Sequence, residues 1–198
     1  MRIRRNTYEK VCHLIASNIG NRIKEQNHFV LGLATGSTPI GIYEKLSMMN
    51  NINFHDTTTF NLDEYVGIDK HHDQSYQYFM NKHLFSNLNF RKHYFPTEEN
   101  YNEYDLMIKS YGGIDIQILG IGTNGHIAFN EPGSSRYSAT RLVDLTENTI
   151  KDNSRFFDDV EDVPTQAYTM GLSSIMSAEK IYLVAVGKHK KEILEEAV

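Results

Sequence analysis

Four times along this chain a short apolar run breaks off into a cluster of glycine, hydroxyl, amide or charged residues. Thr35-Gly36-Ser37-Thr38-Pro39 follows the run ending at Leu33, and Asn61-Leu62-Asp63-Glu64-Tyr65 follows Phe60. A glycine-rich stretch follows Leu119, and Gly187-Lys188-His189-Lys190-Lys191 follows Val186. Apolar runs this short, bounded by turn-forming residues, read as buried strands. Phe29 to Leu33, Thr57 to Phe60, Ile114 to Leu119 and Ile181 to Val186 are the clearest, with shorter ones at Arg141 to Val143 and Ala167 to Met170. Helical patterns lie between them. Val11, Leu14, Ile15, Ile19 and Ile23 share one face of a helix expected over Tyr8 to Lys24, with Asn6 and Glu9 as a capping box. Further helices are expected through Ile42, Tyr43 and Leu46, over Ser75 to Leu84, over Tyr104 to Tyr111, over Leu172 to Ala178, and from Gly187 onward. Residues 86 to 104 and Pro132 to Asn153 are largely polar and carry no clear helical pattern.

Strands alternating with helices specify an α/β fold: three layers, a mainly parallel sheet with helices on both faces, Rossmann-like and doubly wound. In such open sheets ligands bind outside the carboxyl ends of the strands. The four clusters are therefore expected to converge on one site. The 198 residues show no repeat, linker or low-complexity segment, so a single domain over 1–198 is expected. A net charge of -5 argues against nucleic acid or an anionic membrane as partner, since either favours a basic face. One cysteine, Cys12, excludes a disulfide framework or a cysteine metal site. The start MRIRRNTYEK has no apolar segment behind it, and no apolar run approaches the ~18 residues of a membrane helix. A cytoplasmic protein is the expectation.

The stretch Gly120 to Pro132, GIGTNGHIAFNEP, concentrates the chemistry. Its glycines let backbone turn tightly beside a ligand. His126 stands five residues before Glu131, and a histidine near a carboxylate can move protons near neutral pH. A lone histidine is as often merely solvated; the cluster around it tips the balance. The loop at Gly36, Ser37 and Thr38 precedes a helix, where unpaired N–H groups and the dipole favour an anion, although an ordinary cap would look the same. Three lysines in a first helical turn oppose the dipole, which an anionic ligand would offset; Lys190 is the one expected to point inward. Arg155, beside Phe156 and Phe157, can grip a phosphate with two parallel hydrogen bonds or simply pack on the rings. Adjacent side chains on a strand face opposite ways, so Asp63 and Glu64 should divide their roles between base and anchor. No paired-histidine or HExxH spacing suggests a metal, and GIGTNG lacks the following helix and distant acid of a dinucleotide site. These features suggest proton transfer on a phosphorylated small molecule, with no metal or cofactor.

Taken together, LGLATGSTPIGIYEKL, TTFNLDEYVGI followed by SYQYFM, GIGTNGHIAFNEPGSS, NSRFF and VGKHK resemble glucosamine-6-phosphate deaminases nearly end to end. The resemblance implies conversion of glucosamine 6-phosphate and water to fructose 6-phosphate and ammonia, in amino-sugar catabolism. It implies that Asp63 carries the proton in enolisation, that His126 assists ring opening, and that Glu131 supports His126. It further implies that Gly36, Ser37, Thr38, Arg155 and Lys190 hold the phosphate. The partner is then a small sugar phosphate, with either a monomer or a homo-oligomer compatible with the sequence.

Three departures from the family pattern bear on this expectation. Asn124 stands where part of the family has aspartate; an amide can orient His126 but cannot share its charge, which leaves the charge to Glu131. Arg141 matches one effector-binding cation of the allosteric members, but Val143 replaces the second, which argues against activation by an acetylated sugar phosphate. Chains of this family normally continue past the position of Val198, so the segment that would complete the sheet is expected to be lacking. The rivals are the related 6-phosphogluconolactonase, a hydrolase without the acid of Phe129-Asn130-Glu131-Pro132, and an inactive sugar-phosphate-binding protein.

Overall fold

The computed structural model describes residues 2–154, 157, 159 and 162–196. Along the chain run α1 (Tyr8–Glu25), β1 (Phe29–Leu33), α2 (Ile40–Ser47), β2 (Thr57–Asn61), β3 (Asp63–Tyr65), α3 (Tyr76–Met80), β4 (Lys92–Tyr94), α4 (Tyr104–Ser110) and β5 (Ile116–Leu119). They continue with β6 (Arg141–Asp144), α5 (Glu147–Ser154), β7 (Gln166–Thr169), α6 (Leu172–Met176), β8 (Lys180–Leu183) and α7 (Lys191–Glu196). Five strands form a parallel sheet in the order β4-β2-β1-β5-β8. Strands β3, β7 and β6 form a separate antiparallel sheet.

The central strand explains the layering. Every residue of β1 is buried, and its side chains alternate between two cores. Phe29, Leu31 and Leu33 meet Ile15, Ile19, Ile42 and Leu46 of α1 and α2 on one face. Val30 meets Tyr104, Ile108 and Ile175 of α4 and α6 on the other. Each fully buried aliphatic side chain of this kind contributes about 1.5–3 kcal/mol. The sheet thus carries helices on both faces, as its alternating elements require.

The order of strands locates the crevice. From β1 the chain builds outward through β2 to β4, then returns to the opposite side of β1 with β5 and β8. The reversal falls between β1 and β5, which places the loops after these two strands side by side at their carboxyl ends. Strand β2 adds the third loop. After Asn61 only Leu62 intervenes before β3, and the Leu62 N–H donates to Leu33 O at 3.1 Å while its carbonyl accepts from Met170 N at 2.6 Å. This one residue stitches the parallel sheet to the antiparallel one, with Asp63 just past the seam.

Several local expectations shift. Helix α1 has Thr7, not Asn6, at its cap position, and no side chain caps it. Its start is held instead by Tyr8, whose hydroxyl donates to Thr38 O at 2.8 Å and accepts from Gly41 N at 3.0 Å. Strand β8 ends at Leu183 rather than Val186, because β5 offers no pairing partner beyond Leu119. The helix expected over Ser75 to Leu84 is α3 continued by a π-helical turn over Asn81–Phe85. The expected helix at Gly187 opens as a 3-10 turn, Lys188–Lys190, before α7. Two elements lay in stretches without a helical or strand pattern: edge strand β4, whose polar residues face solvent, and helix α5.

Candidate active site

Strand β3 presents two acids in opposite environments. Glu64 is 3% exposed, and its carboxylate accepts from Tyr65 N at 3.0 Å, Tyr76 N at 2.9 Å and Gln77 N at 2.9 Å. It therefore fastens β3 to the first turn of α3, where the helix dipole also favours a negative charge. Burial holds its carboxyl above the usual range, and these three donors oppose that rise. Asp63 is 6% exposed and faces the other way. Among the described residues no hydrogen bond supports its charged form, and burial, aided by the charge on Glu64, pushes it up to about 8. A carboxyl poised there can take and return a proton near neutral pH. Glu64 is thus anchored by three backbone N–H groups, whereas Asp63 has no such donor among the described residues.

The Gly120–Pro132 stretch folds back on itself. Gly122 N donates to His126 O at 2.9 Å, and a Cβ at Gly122 would sit 2.2 Å from His126 Cε1, so only glycine leaves room for the imidazole. Asn124 lies between the two titratable groups. Its Nδ2 donates to Glu131 Oε2 at 2.6 Å, and its Oδ1 lies 2.7 Å from His126 Nδ1. An ionised carboxylate only accepts, so the amide must turn its N–H to Glu131 and its oxygen to the ring. Nδ1 then carries the proton of the neutral imidazole, and Nε2 carries the lone pair. Glu131 does not meet the ring directly: its influence passes through Asn124. Burial alone would raise the Glu131 carboxyl, but hydrogen bonds from Thr149, Asn124 and Thr146 and the charge of His126 bring it below its ordinary value.

Tertiary contacts tie the two acids together. Asp63 pairs in register with Thr169 of β7, whose Oγ1 accepts from Phe129 N at 3.1 Å. Asn130 Nδ2 donates to Met170 O at 2.8 Å, and Arg141 donates to Asn130 Oδ1 at 2.8 Å. Arg141 is thus engaged with the segment that carries Glu131. Ala128, in the same segment, has φ of 53°, a conformation stable there because these contacts hold both sides.

The loop after β1 turns at Gly36 with φ of 86°, where any side chain would be strained. Among the described residues the N–H groups of Gly36, Ser37 and Thr38 make no backbone hydrogen bond. Tyr43 OH donates to Ala34 O at 2.5 Å from a fully buried position, and the nearby charge of Asp63 adds to the rise that burial imposes on its hydroxyl. Lys190 is half-buried, while Lys188 and Lys191 are exposed. Ile193 of α7 packs against the backbone at Gly125, bringing the lysine turn beside the histidine loop. Arg155 and Phe156 lie outside the described residues. A cavity of about 520 Å³ is lined by Val66, Asp69, His72, Phe157 and Pro164 among others, and among the described residues its lining includes none of the expected site residues. Among the described residues no group of three or more histidine, cysteine or acidic side chains could hold a metal, and no helix is long and apolar enough to cross a membrane.

Residues 4–198 match the family described as glucosamine-6-phosphate isomerases/6-phosphogluconolactonase. Among similar curated proteins is the glucosamine-6-phosphate deaminase of Mycoplasma mycoides subsp. mycoides SC, 52% identical over 94% of this chain and 80% of its own length. That of Clostridium perfringens is 47% identical over 95% of this chain and 82% of its own length. Among solved structures, a monomeric glucosamine-6-phosphate deaminase superposes with a TM-score of 0.92 at 39% identity, covering 98% of this chain and 85% of that one. A 6-phosphogluconolactonase from Shewanella baltica gives 0.74 at 20% identity over 96% of this chain and 81% of that one, a likeness of fold alone. With two acids of opposed environment, a glycine-seated histidine and these relatives, the chain belongs to the family of glucosamine-6-phosphate isomerases and 6-phosphogluconolactonases.

Proposed function

We infer that this chain is a glucosamine-6-phosphate deaminase, a deaminating aldose–ketose isomerase that turns glucosamine 6-phosphate and water into fructose 6-phosphate and ammonia. The observation that carries the reading is the pairing of the His126–Asn124–Glu131 chain with a buried, hydrogen-bond-poor Asp63, in a sequence about half identical to deaminases. His126, held with its lone pair on Nε2, moves a proton between the ring hydroxyl and ring oxygen to open the sugar. Asp63 then removes the proton from C2 and returns it to C1, while a proton of the amino group passes to O1, leaving an imine at C2. Water adds to that imine, and ammonia departs. The phosphate is taken by the N–H groups and hydroxyls of Gly36, Ser37 and Thr38, by Lys190 and by Arg155. Every step draws on this chain's own side chains and on water. The single domain would work on a soluble metabolite in the cytoplasm.

Ammonia release from glucosamine 6-phosphate, measured beside hydrolysis of 6-phosphogluconolactone, tests the reading. Release of ammonia with no lactone hydrolysis is the expected result. Lactone hydrolysis without ammonia would replace it with the lactonase, and binding without either activity would leave a sugar-phosphate-binding protein.

A further inference from the structure

Glu131 receives more than the amide of Asn124. Thr149 Oγ1 donates to Glu131 Oε1 at 2.6 Å, and Thr146 Oγ1 lies 3.0 Å from Thr149 Oγ1 and 3.3 Å from Glu131 Oε1. A hydroxyl has one proton to give. The short contact assigns the Thr149 proton to Glu131, and the Thr146 proton is shared between the Thr149 oxygen and Glu131 Oε1. The two threonines form a short chain that ends on the carboxylate.

The same residues begin α5. Thr146 directly precedes the helix, its Oγ1 accepts from Thr149 N at 3.2 Å, and its carbonyl accepts from Ile150 N at 2.9 Å. That is the cap geometry that satisfies an otherwise unpaired N–H of the first turn. Thr149 is only 4% exposed, so its hydroxyl has little recourse to water. Forming the first turn of α5 and orienting Glu131 are therefore one event.

We propose that Thr149, aligned by Thr146, is a positioning residue of the reaction: its hydroxyl fixes Glu131, Glu131 fixes the Asn124 amide, and the amide fixes the tautomer of His126. The chain of contacts runs from Thr146 Oγ1 through Thr149 Oγ1, the two Glu131 oxygens and the two ends of the Asn124 amide to His126 Nδ1. Neither threonine touches the imidazole or the reacting sugar in this scheme. Without the hydroxyl, Oε1 loses its shortest donor, the carboxylate is free to rotate, and the amide can present either end to the ring. The kinetic arm rests on the deaminase reading; the assignment of the tautomer does not.

The test compares Thr149→Val, which replaces the hydroxyl with a methyl group at similar volume, with Thr149→Ser, which keeps it. In Thr149→Val the kcat for ammonia release is expected to fall about tenfold with KM within about twofold, because the loss lies in proton transfer rather than binding. Thr149→Ser is expected to recover most of the rate. Nitrogen NMR of the imidazole, its resonances assigned by their loss in His126→Gln, should show the Nδ1–H tautomer in the wild type and a mixture in Thr149→Val. If Thr149→Val does not fold, Thr149→Ala, which suits a helix, carries the same comparison. Wild-type tautomer and kcat in the folded Val or Ala variant would overturn the proposal, as would Thr149→Ser impaired as much as Thr149→Val. A wild type that releases no ammonia would sink the deaminase reading, while the NMR comparison would still decide the role of Thr149.

Discussion

The acid on β3 and the acid after Phe129 make an instructive pair. Asp63 is buried without a hydrogen-bond donor among the described residues and is pushed up to about 8. Glu131 is also drawn partly from water, yet donors on three residues and a nearby histidine bring it down. The same functional group holds its proton to higher pH in one place and is favoured as a charge in the other. Burial acts on both; the difference lies in how many N–H and O–H groups point at the carboxylate. Glu64 sets the limit of the lesson: it adjoins Asp63, is as buried and receives three backbone N–H groups, yet burial still holds its carboxyl above the ordinary value.

The largest test of this contrast is Asp63→Asn. It should cut kcat by about 10²–10⁴-fold, the range general acid–base groups supply, while sugar-phosphate binding persists. Turnover near wild type would remove Asp63 from the proton path. The same variant should be more stable than the wild type at alkaline pH. The folded protein holds the Asp63 proton up to about pH 8, whereas the unfolded chain releases it near 4. Stability from this group is therefore complete below about pH 4 and is lost as pH rises through about 8. Asparagine does not titrate, so melting curves should diverge in its favour across that window, by about 2–4 °C for each kcal/mol recovered. Curves that stay parallel would show Asp63 to be less desolvated than its surroundings imply.

Glu131→Gln comes next. An amide in place of the carboxylate can still meet Thr149 and Asn124 but no longer supports a charged His126, so kcat should fall about tenfold or more. No gain in alkaline stability should accompany it, because Glu131 is favoured in its ionised form. A gain equal to that of Asp63→Asn would erase the distinction between the two acids. The last test concerns pH. With substrate far below KM, activity should decline by about tenfold per unit as pH falls well below the raised value of Asp63, since the base must be ionised in the free enzyme. A flat profile from pH 6 to 8 would place the ionisation of Asp63 lower.

Much of this was legible in the chain because it is local. Five-residue runs such as FVLGL announce a buried strand, and clusters after Leu33, Phe60 and Leu119 fall at one sheet edge by the rules of parallel connection. Helix α5 was harder to see, for its residues ENTIKDNS are mostly polar. The cap it shares with Glu131 pairs residues 18 apart in the sequence, at Thr149 and Glu131. Strand β4 was missed for a related reason: its polar KHY pairs only with β2 at the sheet edge, so no apolar pattern marks it.

By itself, the sequence determined the alternation of strands and helices, the glycines that let backbone turn at the loops, and the identity of every acid, base and cation in the proposed site. Those follow from side-chain period and residue chemistry within a few positions. Only the tertiary structure decided that Asp63 lies past a one-residue seam without hydrogen-bond support from the described residues, that Asn124 stands between His126 and Glu131, and that α5 begins on the threonines that hold Glu131. Burial and hydrogen-bond partners depend on segments far apart in the chain, and a carboxylate takes its character from those partners.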